Sequence, residues 1–337
     1  MKIFDIFSRN GHYGLRRHDG DFGIEIETES EDQYKYPKSR FWDFHPDNSL
    51  RHFGVEYVLK APMSLDECGV ALKEFKEMTS GFKFLNSMYT SVHVHINMLN
   101  ETFLTMANTI VTYILLENAL LKYSGPQRES NLFCLSSRDA DGSIGIYEDF
   151  FRQIDKKIYR RFNLTDEAAK YAALNIVPIT KFGSIESRSF RGSHDIKEIF
   201  TWLKILSKLK DFARIEGMNP VRIVELAHKD PTEFYQVVLG DLAKELNFPN
   251  KEELLKSNLY SAAKLARASK DWAKFGYFKP VRIVTEVAAG KLDDMAVAMY
   301  GQAYAALDLI KQLLVEEQYI IQNAAGVFAE EEDNDEI

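Results

Sequence analysis

The sequence predicts an α+β protein in which strands occupy the first part of the chain and helices the second. Four short stretches alternate apolar and polar residues or are rich in β-forming residues: FGIEIETE from Phe22, FGVEYVLKAP from Phe53, TSVHVHINM from Thr90 and FGSIESRSFRG from Phe182. From Asp195 onward the apolar residues recur mostly at helical spacing. We therefore expect a sheet with flanking helices, followed by a mostly helical C-terminal region.

Helix-capping residues indicate where the predicted helices begin. The predicted N-caps are Ser64, Asn100, Asp195 (with Glu198 in a capping box), Asp230 and Asn250, and Gly125-Pro126 is predicted to end the helix that Asn100 begins. One long final helix is expected over residues 291–323. These patterns divide the chain into an α+β region at 1–195, a helical region at 196–325 and an acidic tail at 326–337, which we expect to be disordered.

Composition and charge restrict the classes of protein to which the chain can belong. It has 337 residues, of which 45% are hydrophobic and 27% charged, as is typical of a globular protein. The net charge of −8 argues against non-specific binding of nucleic acid. Only two cysteines are present, Cys68 and Cys134, and the N-terminus lacks the apolar core of a signal peptide. The sequence therefore predicts a cytoplasmic protein without a nucleic-acid partner.

The most apolar long run, TFLTMANTIVTYILLENALL, has the length of a membrane-spanning helix. It contains Asn108, Glu117 and Asn118, which are costly in the interior of a bilayer. We therefore predict a buried helix of the protein core and no membrane association.

Three of the predicted strands carry ionisable side chains on one face. Successive side chains of a strand point to opposite faces, so residues two apart share a face. This alternation groups Glu25, Glu27 and Glu29 on the first strand, His93, His95 and Asn97 on the third, and Glu186, Arg188 and Phe190 on the fourth, while the second strand adds Glu56. Glu29 lies near the end of its strand, where we expect it to face solvent.

Two interpretations of this polar face are open. An antiparallel sheet commonly has one solvated face, which is the simpler explanation for any single strand. The ionisable residues of the whole set are glutamate, histidine and arginine, with no lysine. Hard divalent cations such as Mg²⁺ and Mn²⁺ prefer carboxylate oxygens and accept imidazole, and an adjacent arginine suits a phosphate oxygen. We therefore predict a metal and phosphate site on this face.

Other metal and nucleotide motifs fit the spacing less well. The pair His93 and His95 would begin a cupin motif only with a glutamate four or five residues later, and the first acid after it is Glu101. The sequence contains no HExxH, no CxxC pair, and neither the GxxxxGK[ST] nor the GxGxxG nucleotide motif. A zinc hydrolase stays open as an alternative, because HxH also occurs in that class.

Three further stretches supply polar residues that could complete such a site. GPQRESNLFC contains Arg128, AAKYAALNIVPI contains Lys170 and Asn175, and Arg191 follows ESRSF. Considered alone, Lys170 fits a solvated helix position better than a ligand contact, and Arg128 fits a salt bridge as well as an anion contact.

The order of these blocks resembles the amidoligase family, whose members are similar in catalytic fold to glutamine synthetase and glutamate–cysteine ligase. The blocks are GIEIE, a DNS turn leading to GVEYVLKAP, SVHVHIN, RESNLFC, KYAALN and SIESRSFRGS, spread over residues 20–195. The resemblance implies a curved antiparallel sheet of the glutamine synthetase type, whose concave face binds two or more Mg²⁺ ions together with ATP. One departure is Ser91, which stands where the related proteins often have glycine.

The resemblance also implies a role for individual residues. The implied metal ligands are Glu25, Glu27, Glu56, His93 and Glu186; the implied phosphate contacts are His95, Arg188 and Arg128; and the implied substrate contacts are Asp47, Ser49, Lys170, Asn175 and Arg191. Arg188 and Glu186 are the residues that the resemblance places at the reacting phosphate.

These observations together predict an ATP-dependent carboxylate–amine ligase that forms an amide or isopeptide bond with Mg²⁺ or Mn²⁺. Its partners would be ATP, a carboxylate and an amine, the last being a small molecule, a peptide or a protein side chain; oligomerisation is left open. Two alternatives stay open: a metal-dependent hydrolase that uses the same glutamates and histidines, and a non-catalytic binding module on a degenerate ligase fold.

Overall fold

The computed structural model describes residues 2–8, 15–31, 38–129, 131–132, 134–137, 139, 143–155, 171–269 and 289–332. Lys170 and the end of the predicted tail, residues 333–337, therefore lie outside the described residues.

A six-stranded antiparallel sheet lies in the first part of the chain, which confirms the α+β prediction. Its strands are β1 Phe22–Thr28, β2 Trp42–Pro46, β3 Val55–Leu59, β4 Ser91–Asn97, β5 Leu174–Asn175 and β6 Ser184–Arg191. Their order across the sheet is β2-β3-β1-β4-β6-β5. The four predicted strands are thus β1, β3, β4 and β6, and they occupy the four central positions.

Helices pack on the apolar face of the sheet and make up most of the chain after β6. They are α1 Ile3–Ser8, α2 Leu65–Met78, α3 Phe103–Ser124, α4 Ser143–Asp155, α5 Ile196–Ala213, α6 Pro220–Lys229, α7 Pro231–Leu239, α8 Lys251–Lys256, α9 Leu259–Ala268, α10 Ala289–Tyr300 and α11 Leu309–Glu332. The alternation of β1 buries Ile24 and Ile26, and these join Val94 of β4 and Leu206 of α5 in one hydrophobic cluster. This cluster contains residues from both sides of the predicted boundary near residue 195.

Helix α3 is the apolar run of the sequence analysis. Among the described residues it is the one helix with the length and composition to cross a membrane, and 83% of its most apolar window is buried in the fold. Its polar residues have partners inside the protein: Asn108 donates to the carbonyls of Ala213 and Met218, and Glu117 accepts from both the amide and the hydroxyl of Ser137. The prediction of a buried core helix is therefore confirmed.

The helix caps agree with the sequence at some positions and differ at others. Ser64 and Glu67 form a reciprocal capping box at α2. Thr102, rather than the predicted Asn100, caps α3 by accepting from the amide of Thr105, while the Asn100 side chain donates to the carbonyl of His18.

Asp195 caps α5 by accepting from the amide of Lys197, as predicted. Glu198 takes no part in a capping box there, because it accepts from the Ser193 hydroxyl and pairs with Arg191.

The predicted final helix over residues 291–323 is wrong in one respect, because it is two helices. Helix α10 ends at Tyr300 and α11 begins at Leu309, and Gly301 between them has φ +68°, a left-handed conformation that ends a helix. Helix α11 continues to Glu332 and so extends into the segment 326–337 that the sequence predicted to be disordered.

A β-bulge interrupts the pairing of β4 with β6. Val92 pairs with Phe190 and Val94 pairs with Ser187, so His93 lies opposite two residues, Arg188 and Ser189. The extra residue reverses the alternation of β6 beyond it.

Phe190 therefore faces the core, where its ring stacks on that of Trp202 with centroids 5.0 Å apart. The prediction that Phe190 shares the polar face with Glu186 is wrong for this reason, whereas Arg188 stays on that face.

Candidate metal centre

The antiparallel register brings the predicted ionisable residues into neighbouring positions on one face of the sheet. Glu25 of β1 pairs with His93 of β4, and Glu27 of β1 pairs with Glu56 of β3. His95 of β4 pairs with Glu186 of β6. Side chains directly opposite each other in a sheet are close enough to interact, so each pair forms part of a common cluster.

One group of potential ligands lies at the β1–β4–β6 junction. Glu25, His95 and Glu186 each offer one atom, and these atoms all lie within 4.8 Å of one another. His95 Nε2 is 3.1 Å from Glu25 Oε1, and its Nδ1 is 2.9 Å from the hydroxyl of Ser184. This group is small enough to share a single cation.

A second group lies beside it, toward the end of β1. One carboxylate oxygen from each of Glu27, Asp47 and Glu56 meets the same 4.8 Å criterion. The two groups together contain five carboxylates, which repel one another in the absence of a cation.

His93 lies between the two groups and is almost fully buried. Its Nε2 is 2.6 Å from Ser91 Oγ, and the Ser91 hydroxyl donates to Glu27 Oε2 at 2.5 Å. Because the single hydroxyl proton goes to the carboxylate, His93 Nε2 must be the donor to Ser91, and in the neutral imidazole Nδ1 then carries the lone pair.

The Nδ1 atom of His93 faces two carboxylates, at 3.4 Å from Glu186 Oε1 and 3.5 Å from Glu25 Oε2. A metal-binding histidine typically ligates through one nitrogen and donates a hydrogen bond through the other. The Ser91–Glu27 pair therefore orients His93 as a ligand for the group around Glu25. In the sequence Ser91 stands out only as a departure from the family pattern. In the structure its hydroxyl contacts both His93 and Glu27.

Two residues hold Glu186 in place. Asn175 donates from Nδ2 to Oε2 at 2.7 Å, and Arg188 donates from a terminal guanidinium nitrogen to Oε1 at 2.7 Å. Asn175 also accepts from the amide of Val177, so its side chain is engaged with the protein on both sides. The structure thus places Asn175, a predicted substrate contact, as a support for Glu186.

Arg188 is 20% exposed and forms the rim of the cluster beside Glu186. Its Nε is buried and has no hydrogen-bond partner among the described residues. A buried donor without an acceptor costs free energy, so this N–H favours an additional acceptor such as a phosphate oxygen.

Arg128, a predicted phosphate contact, lies beneath the bulge and is only 2% exposed. Its guanidinium donates to the carbonyl of Arg188 at 2.6 Å and to that of Ser189 at 3.3 Å. These two carbonyls belong to the residues that lie opposite His93. Arg128 is therefore engaged with the main chain that presents Arg188 to the cluster.

Asp47, another predicted substrate contact, belongs to the second ligand group, whereas Ser49 and Arg191 do not. Asp47 accepts from the amide of Ser49 within the turn after β2, while the Ser49 side chain is exposed. Arg191 pairs with Glu198 at 2.7 Å and donates to the carbonyls of Tyr123 and Ser124, away from the two ligand groups. Lys170 lies outside the described residues.

Glu29 is not solvent-exposed, contrary to the prediction. It is 2% exposed and lies just beyond the end of β1, where its carboxylate accepts from the amide of Arg51 at 2.7 Å. Glu29 therefore anchors the turn between β2 and β3 and stands apart from the cluster.

The cluster shifts the pKa values of its members in opposite directions. Burial would raise the pKa of Glu25, but the hydrogen bonds and charges of His93 and His95 hold it well below the usual range. For Glu56, burial and the charges of neighbouring acids, Glu25 first among them, raise the pKa to about 7.

The pKa of Glu186 is lowered: burial opposes this shift, and the charges of Arg188 and the two histidines outweigh it. Burial would lower the pKa of His95, but its hydrogen bond to Glu25 and the charge of Glu186 raise it. The acids next to positive groups thus favour their charged forms, whereas the charges that shift the pKa of Glu56 all belong to other acids.

The donor set suits a hard divalent cation. It offers carboxylate oxygens from five residues and imidazole nitrogen from two, a composition closer to Mg²⁺ or Mn²⁺ sites than to the nitrogen- and sulfur-rich shells of zinc. The carboxylate repulsion and the buried, unpaired Nε of Arg188 are both relieved by a cation and an anionic ligand together.

Two cavities open at opposite ends of the cluster. One, of about 300 Å³, is lined by Glu25 and His95; the other, of about 570 Å³, is lined by Glu27 and Arg191. The ligand groups therefore lie between two spaces that separate molecules could enter.

The sequence prediction gave no role to two residues that support the cluster. Ser91 and Ser184 bind the two histidines, and each lies two residues from a predicted ligand, so the same period-two alternation indicates their face. Small hydroxyl residues carry no charge, so the sequence pattern does not distinguish them, and their role follows from the distances in the fold.

No family model matches the chain, and no curated protein sequence matches it. The resemblance to the amidoligase family therefore stays a prediction from the sequence motifs, and the function has to be argued from the site.

Proposed function

We propose that this protein is an ATP-dependent carboxylate–amine ligase of the glutamine synthetase-like type. The observation that carries the proposal is the pair of adjacent ligand groups, one around Glu25 and His95 and one around Glu27 and Glu56, between two separate cavities. Such an arrangement suits a reaction that consumes a metal-bound polyphosphate to join two substrates, because phosphoryl transfer depends mainly on positioning and charge neutralisation.

In the proposed reaction, the terminal phosphoryl group of ATP passes to a substrate carboxylate, giving an acyl phosphate and ADP. An amine then attacks the acyl carbon, phosphate leaves, and the amine loses a proton, so that an amide bond forms. Bound Mg²⁺ or Mn²⁺ supplies charge neutralisation of the phosphate oxygens during the transfer.

The protein's own residues bind and orient these groups. Glu25, Glu27, Glu56, His93 and Glu186 would hold the cations. Arg188 would donate its unpaired Nε–H to a transferring phosphate oxygen while its terminal nitrogen stays on Glu186. His95, fixed by Ser184 and Glu25, would lie against the phosphates on the other side.

The test is ATP turnover with Mg²⁺, measured as release of ADP and phosphate with and without mixed pools of carboxylates and amines. We expect release that requires both partners, and we expect Arg188→Ala to lower turnover by about 10²–10³, the usual effect of removing one such stabilising donor. Arg152→Ala, which removes an arginine of α4 whose side chain is 43% exposed, is the matched control and should leave turnover unchanged.

Other outcomes would redirect the assignment. Cleavage of a substrate in the absence of ATP would instead support the metal-dependent hydrolase. Absence of both activities, together with no binding of cation or nucleotide, would leave only the non-catalytic module.

A further inference from the structure

We infer that the nucleotide enters from the His95 end of the cluster and that its base stacks on the ring of Phe182. This inference rests on the proposed function, and it assigns to each of the two cavities a different chemical class of substrate. The smaller cavity would take the nucleoside triphosphate, and the larger one would be left for the molecules that are joined.

The charges of the two cavities differ in sign. Arg16, Lys60 and Lys181 line the smaller cavity, where Glu25 is the one acidic residue among the lining residues described. Such a basic wall attracts a triphosphate.

The larger cavity has the opposite character. Glu27, Asp195 and Glu198 contribute to its lining against one arginine, Arg191, which is already paired with Glu198. A polyanion would be repelled there, so the position of the charges selects the smaller cavity for the nucleotide.

Phe182 offers an apolar surface at the edge of the smaller cavity. Its side chain is 53% exposed, although it is a large aromatic residue, and it lies in the turn that precedes β6. The ring meets that of His95 edge-on with centroids 5.8 Å apart, and Lys181 Nζ lies 4.7 Å from its centroid. A base stacked there would be next to the residue that faces the phosphates.

An exposed phenylalanine is common on protein surfaces and carries no argument by itself. Here the ring contacts His95, which would lie against the phosphates, and borders a basic cavity, and aromatic rings bind bases by stacking. Base and phosphates would then be recognised on the same side of His95.

Gly23 keeps the floor of this cavity open. It pairs with His95 across the sheet, on the same face as Glu186, and a Cβ atom there would lie 3.3 Å from His95 Cβ. The absent side chain leaves space above the sheet next to Glu25, which the phosphate chain would need.

The experiment measures the affinity of two probes by calorimetry in the presence of Mg²⁺: a non-hydrolysable ATP analogue and inorganic tripolyphosphate. We expect Phe182→Ala to weaken the analogue roughly 5- to 150-fold, the range for loss of one base–aromatic stack, and to leave tripolyphosphate affinity unchanged. Phe182→Tyr should restore the affinity for the analogue. Phe53→Ala removes a phenylalanine of similar exposure, 49%, away from the cavity and should change neither affinity.

A second pair of variants tests the choice of cavity. Lys181→Glu should weaken both probes, because it reverses a charge beside the phosphates, whereas Glu198→Gln in the larger cavity should weaken neither. Equal affinity of wild type and Phe182→Ala for the analogue, or a loss confined to Glu198→Gln, would overturn this inference alone. Failure of the wild type to bind either probe would overturn the proposed function as well.

Discussion

Single carboxylates of the cluster determine whether a cation can bind. Glu25 lies next to both histidines and within reach of Glu186, so replacing it by glutamine removes a charged ligand from the centre of the first group. We expect Mg²⁺ or Mn²⁺ to raise the thermal unfolding midpoint of the wild type, since a ligand at 100 times its Kd stabilises the folded state by about 2.7 kcal/mol. Glu25→Gln should lose most of this increase.

The control for that experiment is Glu253→Gln, the same chemical change at an exposed position of α8. It should retain the full cation-dependent increase in the unfolding midpoint. An increase in Glu25→Gln as large as that of the wild type would show that the cation binds elsewhere.

Glu117, a buried residue of α3, gives the fold a pH dependence of its own. Burial raises its pKa to about 7, although the Ser137 hydrogen bonds oppose the shift. The folded state therefore holds the proton more tightly than the unfolded state, whose value is near 4.5. The contribution of Glu117 to the free energy of unfolding should therefore be largest below pH 4.5 and should fall as the pH rises through 7.

Glu117→Gln should remove this contribution. The difference in free energy of unfolding between the variant and the wild type, measured in urea, should shift by about 3 kcal/mol in favour of the variant from pH 5 to pH 8. The linkage of one proton is roughly 1.4 kcal/mol per pH unit, and it acts over about two units because it ends near the folded-state pKa of about 7. A difference between the two proteins that does not change with pH would show that Glu117 is charged in the fold.

At the scale of the strand, the bulge of β6 depends on a residue far away in the sequence. Arg128 donates to the carbonyls of Arg188 and Ser189, the two residues of β6 that have no one-to-one partner on β4. Arg128→Met keeps much of the side-chain volume and removes every donor. We expect it to lower the free energy of unfolding by about 2–6 kcal/mol, because it leaves two buried carbonyls unsatisfied and each costs about 1–3 kcal/mol.

Arg152→Met provides the comparison, since Arg152 pairs with Glu148 and Asp149 of its own helix, and helical ion pairs of this spacing are worth about 0.2–0.5 kcal/mol each. Unchanged stability in Arg128→Met combined with weaker ATP binding would return Arg128 to the phosphate-binding role that the family resemblance implies.

The same strands show how far the sequence predicts the fold. Strands β1, β3, β4 and β6 follow from alternation, because each has one face in the core and one in the cluster. Strand β5 is two residues long and forms only because β6 offers its edge, so no local pattern indicates it. Strand β2, WDFHP, is at the opposite edge, where burial is incomplete and the alternation is correspondingly weak.

The candidate site, like the fold, can be predicted from the sequence only in part. Alternation alone places Glu25, Glu27, His93 and Glu186 on the polar faces of their strands. The pairing of the strands then brings these faces together on one side of the sheet. The roles of Asn175 and Arg128 depend on contacts between distant parts of the chain. Asn175 donates to Glu186, and Arg128 donates to main-chain carbonyls of β6. A sequence motif shows which residue type stands at such a position, but it does not show which atoms that residue contacts.

At the scale of the whole molecule, the helices after residue 195 complete the core of the sheet. Trp202 of α5 stacks on Phe190 of β6, and Leu206 and Leu209 belong to the same hydrophobic cluster as Val94. We expect a fragment of residues 1–195 to lack a cooperative thermal transition and to bind a hydrophobic dye, because this apolar face would be exposed.

The matched control is the fragment 1–332, which lacks only the last five residues and should unfold as cooperatively as the full chain. A cooperative transition of residues 1–195 at a similar temperature would instead show that the strand region folds independently.

The bulge of β6 links two positions that we expect to change together in related sequences. Compared with a regular strand, β6 contains one inserted residue in the middle of a central strand, whereas insertions are ordinarily tolerated in loops. The strand tolerates the insertion because the guanidinium of Arg128, sixty positions away in the sequence, donates a hydrogen bond to the main chain at the bulge. A related chain that lacks the extra residue would have no use for a buried arginine at that place, so the strand length and the arginine should be gained or lost together.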